Sequence, residues 1–228
     1  MKNLRVAPVL ALIIALLAAG CGGDAEKLAQ HITQGKTLLA EGKFDAAATE
    51  LSMATALDKN SMEAWLQLGN AYAAQKKYDA ALAAYVAAKR IDRHSVAPHV
   101  AHAKVQVEMG NVELATTELN FVVEMDPKNL AALILLGRVS QMPYKLPDGK
   151  IGVSQAGLER AELNLQAAAT LAPDSAEANF ELAKVSAKLG KREQALAART
   201  KLESLAQTDA TAKKLMPELE QALKAPGG

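Results

Sequence analysis

A spacing of 34 residues constrains this chain more than any other feature. Set against itself at that interval, the sequence stacks Gly35, Gly69, Ala103 and Gly137 in one column and Ala47, Ala81 and Ala115 in another. A unit of that length holds two helices and a turn, and one copy cannot bury its apolar face alone, so copies must stack on one another. The second copy is the most complete, with Trp65, Leu68, Gly69 and Tyr72 in its first helix and Tyr78, Ala81, Tyr85 and Ala88 in its second. Gly69 and Ala81 fall where the two helices cross, and larger residues there would splay the pair.

The turns between helices read Glu41-Gly42-Lys43, Gln75-Lys76-Lys77, Met109-Gly110-Asn111 and Leu189-Gly190-Lys191, mostly with glycine where a helix ends. Asp45 and Asp79 stand at helix starts, where carboxylates meet free backbone N–H groups. Pro127 and Pro173 close repeats, and Lys59, Arg93 and Gln207 take that place elsewhere. In period and in the residues of the second copy, the chain resembles the tetratricopeptide repeat family. The resemblance implies an all-α fold, a right-handed α-solenoid of about five helical hairpins with a C-terminal capping helix. The repeats are expected at 28–61, 62–95, 96–129, 130–175 and 176–209, with the first helix beginning near Asp24.

Two copies depart from the period. The fourth is 12 residues longer, and Pro143, Pro147, Gly149 and Gly152 place the excess in a loop at 142–155 rather than in a longer helix. That loop is either tolerated length variation or a partner contact through Tyr144, Lys145 and Leu146. The fifth puts Arg192 and Arg199 where earlier copies carry aromatic or apolar residues. Residues 210–228 follow as a capping helix, with Leu215, Leu219, Ala222 and Leu223 on one face and a kink or restart at Pro217, then a disordered tail.

The N-terminal residues address the compartment. Lys2 and Arg5 precede an apolar stretch from Val6 to Ala19, too short to cross a bilayer and typical of a cleaved signal peptide at 1–20. It closes on Leu17-Ala18-Ala19-Gly20-Cys21, which resembles the lipobox of bacterial lipoproteins. The resemblance implies acylation of Cys21, for example with palmitate, and a mature chain starting there. Gly22 rather than Asp follows the cysteine, which in the lipoprotein sorting rule implies the outer membrane, facing the periplasm. Residues 21–27 are then a short linker and the start of the first helix, which would begin ~10 Å from the lipid. Cys21 is the only cysteine, so it cannot form an intramolecular disulfide or a multi-cysteine metal site.

Removing residues 1–20 takes Lys2 and Arg5 and leaves 24 Lys plus Arg against 25 Asp plus Glu. That balance, without a basic block, does not suggest nucleic acid. Gly35-Lys36-Thr37 ends like a phosphate loop but lacks its first glycine, with Gln30 in that place, and lies in a helix. His99 and His102 lie three apart on a helix and could begin a metal or hydrolytic site, yet they occupy the packing positions of Trp65 and Leu68 one period earlier. No catalytic group, cofactor, metal or small-molecule substrate is expected.

One constellation rises above packing. In tetratricopeptide proteins one face of each first helix lines a concave surface, and here its central column reads Lys36, Asn70, Lys104, Arg138 and Lys184. Ile32, Leu66, Val100, Ile134 and Phe180 flank it one turn before, and Leu39, Ala73, Val107, Gln141 and Ala187 just under one turn after. Such a groove would suit a protein segment with acidic and apolar side chains; alternatively the cations are simply solvated and the apolar rows pack between repeats. The expected role is a lipid-anchored protein-interaction scaffold in envelope assembly. In layout the chain is similar to pilotin-type lipoproteins of type IV pilus secretins and to adaptors of exopolysaccharide export or cell-wall hydrolases. An array that only self-associates is the structural alternative.

Overall fold

A computed structural model describes residues 7–145 and 151–224, and these form eleven helices and one pair of two-residue strands. The chain divides into two compact units, Met1–Ala101 and His102–Gly228.

The first unit holds α1 (Ala7–Ala40), α2 (Phe44–Leu57), α3 (Met62–Ala74), α4 (Tyr78–Ile91) and the start of α5 (Val96–Glu108). α1 packs on α2, α3 on α4, and α2 on α3, so each hairpin covers the next. Leu51, Ala47 and Ala48 meet Leu68 and Ala71 in a shared core, with Trp65 and Tyr72 packed against it. Trp65 also donates its indole N–H to the Lys59 carbonyl at 3.0 Å, tying α3 to the turn before it. A helix start was expected near Asp24, but α1 begins at Ala7 and continues through Gly22 and Gly23. The alanines and leucines of the leader are strong helix formers, and nothing between them and Asp24 stops the helix.

The second unit holds the rest of α5, α6 (Val112–Met125), α7 (Leu130–Val139), α8 (Gln155–Leu171), α9 (Ala176–Lys188), α10 (Arg192–Leu205) and α11 (Ala210–Lys224). Its core joins Ala161 and Leu165 of α8, Phe180, Ala183 and Val185 of α9, Ala198 and Leu202 of α10, and Ala212 and Leu219 of α11. α11 therefore caps the last hairpin. It stays helical through Pro217, without a restart; that residue is exposed, so its ring and its missing N–H bond face water. The tail from residue 225 lies outside the described residues, as does Leu146.

The inserted segment begins earlier than expected, because α7 ends at Val139. Beyond it β1 (Tyr144–Lys145) pairs antiparallel with β2 (Ile151–Gly152), Tyr144 opposite Gly152 and Lys145 opposite Ile151. The excess length thus contributes a small ribbon to an otherwise helical chain.

Two local devices recur in both units. Second helices other than α8, which starts on the Ser154 side chain, follow a left-handed residue, at Gly42 (φ 75°), Lys76 (59°), Gly110 (77°) and Gly190 (72°). Around Gly42, for instance, the Lys43 N–H bonds the Leu38 carbonyl and the Gly42 N–H bonds the Leu39 carbonyl, so two carbonyls at the end of α1 are satisfied. First helices instead begin on a capping side chain: Ser61, Asn129 and Ser175 each accept from the amide three residues on.

The hairpin crossings are close. A Cβ on Gly35 would stand 2.4 Å from Leu51 Cγ, and one on Gly69 2.4 Å from Tyr85 Cε1. In the second unit a Cβ on Gly137 would stand 2.4 Å from Leu165 Cγ. Leu51, Tyr85 and Leu165 are almost wholly buried, and each gains about 2 kcal/mol from leaving water.

Two measurements check this reading. Gly69→Ala should lower the denaturation midpoint of the helical circular-dichroism signal, because forcing a methyl group against the Tyr85 ring costs about 1–3 kcal/mol. Alanine's helix preference returns only ~1 kcal/mol. Gly23→Ala, with nothing within 4 Å, should lose nothing; a Gly69→Ala chain as stable as the parent would contradict the close crossing. Lys76→Gly should raise the stability by about 1 kcal/mol and the midpoint with it, relieving a left-handed lysine, and an unchanged or lower midpoint would refute that strain.

Candidate protein-binding site

The helix face expected to bind a partner belongs to the first helix of each hairpin, and its residues fall into the two units separately. In the first unit Lys36 is exposed, and its ammonium lies 3.2 Å from Glu63 Oε1 of α3. Asn70 is committed to packing: its amide donates to Gln67 Oε1 at 3.1 Å, and its oxygen accepts from the Tyr85 hydroxyl at 3.0 Å. Leu66 is 8% exposed and belongs to the core, while Ile32 and Val100 are half-buried. The expected basic column is therefore reduced here to one exposed ion pair.

In the second unit Lys104 is exposed on α5. Ile134 and Phe180, expected as open apolar lining, are 5% and 4% exposed. Both are core residues, because the neighbouring helices that stack on α7 and α9 close over them. Their burial leaves the polar members of the same helices as the accessible surface.

Those polar members converge. Glu181 of α9 lies at their centre with its side chain 11% exposed. Its Oε2 is 3.3 Å from Lys184 Nζ and accepts from the Gln141 amide at 3.4 Å, and its Oε1 is 3.7 Å from Arg138 Nε. Lys188 Nζ donates to Gln141 Oε1 at 3.2 Å, so the glutamine bridges carboxylate and ammonium. Gln141 is itself held by a bond to the Gly137 carbonyl of α7. Lys184 Nζ also stands 4.6 Å from the Phe180 ring centroid, a cation–π distance. Burial holds the Lys188 ammonium below the usual lysine range, the Lys184 charge adds to that, and the Glu181 carboxylate opposes it.

Two cations on adjacent first helices thus contact one carboxylate, and a third, Lys188, joins them through Gln141. The excess positive charge can take up an acidic group, and the outer cations face water, with Arg138 49% and Lys184 22% exposed at the side chain. Of the expected column, the structure brings Arg138 and Lys184 together around Glu181, a residue the sequence reading passed over. The signal was available: Glu181, Lys184 and Lys188 are spaced three and four apart, which puts them on one helix face.

The histidines separate in role. His99 belongs to the first unit and is half-buried. His102, in the second, is nearly buried, with Nδ1 3.3 Å from Glu118 Oε1 of α6. Among the described residues no group of three or more His, Cys, Asp and Glu side chains could hold a metal ion. Elsewhere Lys191, in the turn after α9, reaches back to the buried carboxylate of Glu162 on α8, an ion pair that joins two hairpins.

Residues 32–96 match the tetratricopeptide repeat family. No curated protein matches the chain in sequence. Among solved structures the chain is similar in fold to PilF of Pseudomonas aeruginosa, at 18% identity and a TM-score of 0.67 over 89% of this chain and 86% of that one. It is similar to a thermophilic tetratricopeptide protein of Thermus thermophilus, at 20% identity and a TM-score of 0.67 over 87% of this chain and 100% of the other. It is also similar to YrrB, described as a tetratricopeptide protein with an unusual peptide-binding site, at 20% identity and a TM-score of 0.56 over 81% of this chain and 89% of that one. Residues 32–96 are tetratricopeptide repeats, and the chain has the all-α fold of tetratricopeptide solenoid proteins.

Proposed function

We propose that the chain is the precursor of an envelope lipoprotein that holds partner proteins near a membrane. The observation that carries this reading is the cysteine at the end of the apolar leader, Leu17-Ala18-Ala19-Gly20-Cys21, joined directly to tetratricopeptide hairpins. Cleavage before Cys21 and acylation of its sulfur would tether the array by its first helix. Among the described residues no helix is long and apolar enough to cross a membrane. In this reading acylated Cys21 is the anchor. Gly22 after the cysteine favours the outer membrane and its periplasmic face.

The hairpins supply surface rather than chemistry. Repeat arrays keep their scaffold and vary the exposed side chains, so the partner is set by the polar cluster of α7 and α9 and by its neighbours. The lipobox-like leader favours a role in assembling envelope machinery, for example a type IV pilus or its secretin, and likeness in fold to YrrB, described as having a peptide-binding site, accords with holding a peptide or protein. An adaptor for exopolysaccharide export or for cell-wall hydrolases would use the same surface.

Both halves of the proposal are testable in one strain. Expressed in a bacterium with two membranes, the chain should incorporate an alkyne-tagged palmitate analogue and fractionate with the outer membrane. Cys21→Ser should remain unlabelled and keep residues 1–20. Affinity capture from envelope extracts should lose its partner when Lys104 and Arg138 are both replaced by glutamate, with an unchanged helical signal. An unlabelled parent chain would overturn the lipoprotein reading, and retained capture by the double variant would overturn the binding surface.

A further inference from the structure

We propose that Glu181 is an internal stand-in for a partner's carboxylate, so that the cluster of Arg138, Lys184 and Lys188 binds an acidic side chain of an extended protein segment by relieving this residue of its role. The inference rests on the protein-binding reading above and narrows it to one place and one chemistry.

Three observations lead to it. The carboxylate is nearly buried and lies beneath cations that reach water, since Glu181 is 11% exposed at the side chain against 49% for Arg138 and 22% for Lys184. An approaching anion therefore meets the cations first. Second, the donors are far from saturated. Arg138 approaches Glu181 through Nε at 3.7 Å, longer than a hydrogen bond, and a guanidinium carries four further N–H groups. Lys184 makes one ion pair at 3.3 Å and has three protons to give. Third, Arg138 and Lys184 share a single carboxylate, and Lys188 beside them is held by the neutral Gln141 amide oxygen, a balance that a second carboxylate improves.

A carboxylate from a protein segment fits better than a free anion for a structural reason. Lys184 stands over the Phe180 ring, so apolar surface borders the charges, and a side chain with a methylene stem can use both. Glu181 sets the threshold. While it neutralises part of the cluster, a weakly acidic segment gains little by binding, so affinity requires a segment able to compete with it.

The test uses the purified full chain in detergent and a fluorescein-labelled ten-residue peptide of alternating Leu and Glu, with a Leu and Gln counterpart. Fluorescence anisotropy should show the acidic peptide binding at least tenfold more tightly than the amide counterpart. Glu181→Gln should tighten the acidic peptide about tenfold, Glu181→Ala should act in the same direction, and Arg138→Glu should weaken it at least tenfold. Thermal melts of each variant accompany the titrations, and a variant that does not melt as the parent does is replaced by the other substitution at 181. If neither substitution at 181 tightens binding while Arg138→Glu still abolishes it, the stand-in role is overturned and the protein-binding reading stands. If the parent captures its envelope partner but no variant binds the acidic peptide, the assigned ligand is wrong. Inorganic phosphate, or vesicles of phosphatidylglycerol, competing as well as the peptide would overturn the choice of a protein carboxylate.

Discussion

Each regular hairpin depends on a small residue in its first helix letting a large one in its second helix approach closely. Leu51 stands against Gly35, Tyr85 against Gly69 and Leu165 against Gly137, so near that a single added methyl group would collide. Close approach buries the large side chain and fixes how the two helices cross. Once the crossing is fixed, the outer faces of the first helices are fixed as well, and with them the side chains available to a partner. The third hairpin uses Ala103 in place of glycine and Leu119 as the large residue, both fully buried. The fifth substitutes Ala183 and Arg199, and there Arg199 lies 3.7 Å from Glu220 of the capping helix. A charge at the crossing position thus goes with a helix that supplies its counter-ion.

The same geometry explains why the candidate site is polar. Stacking closes over Leu66, Ile134 and Phe180, so apolar residues once read as groove lining become core. What remains outside is the polar row one turn further along, and in the second unit Arg138 and Lys184 of that row gather around Glu181. Binding there would draw on charge and hydrogen bonding at a half-buried cluster, where each contact is stronger than on an open surface.

The 34-residue spacing made the helical hairpins and the cap legible before any coordinates, because it is a local regularity of chain length, turn glycines and small residues. Pairings between helices were less accessible. Glu118 meets His102 and Glu50 meets His31 between the two helices of a hairpin, Glu181 meets Arg138 between hairpins, and no spacing along one helix announces such contacts. The ribbon of Tyr144–Lys145 with Ile151–Gly152 escaped notice because four residues in two short strands carry no periodic signal. The unbroken run of α1 escaped notice because paired glycines at 22 and 23 weaken a helix without ending it. Continuity through Pro217 follows from the exposure of that residue, a tertiary fact.

The most direct test of the close crossing is a double-mutant cycle on Gly137 and Leu165, read by chemical denaturation. Leu165→Ala alone should cost about 2–5 kcal/mol by leaving a cavity, and Gly137→Ala alone about 1–3 kcal/mol by overpacking. With both changes the added methyl group meets no leucine, so the double variant should be more stable than the summed costs allow, by at least ~1 kcal/mol. Costs that add to within ~0.5 kcal/mol would mean that the two positions do not sense one another, and would contradict the crossing on which the hairpins and their binding faces depend.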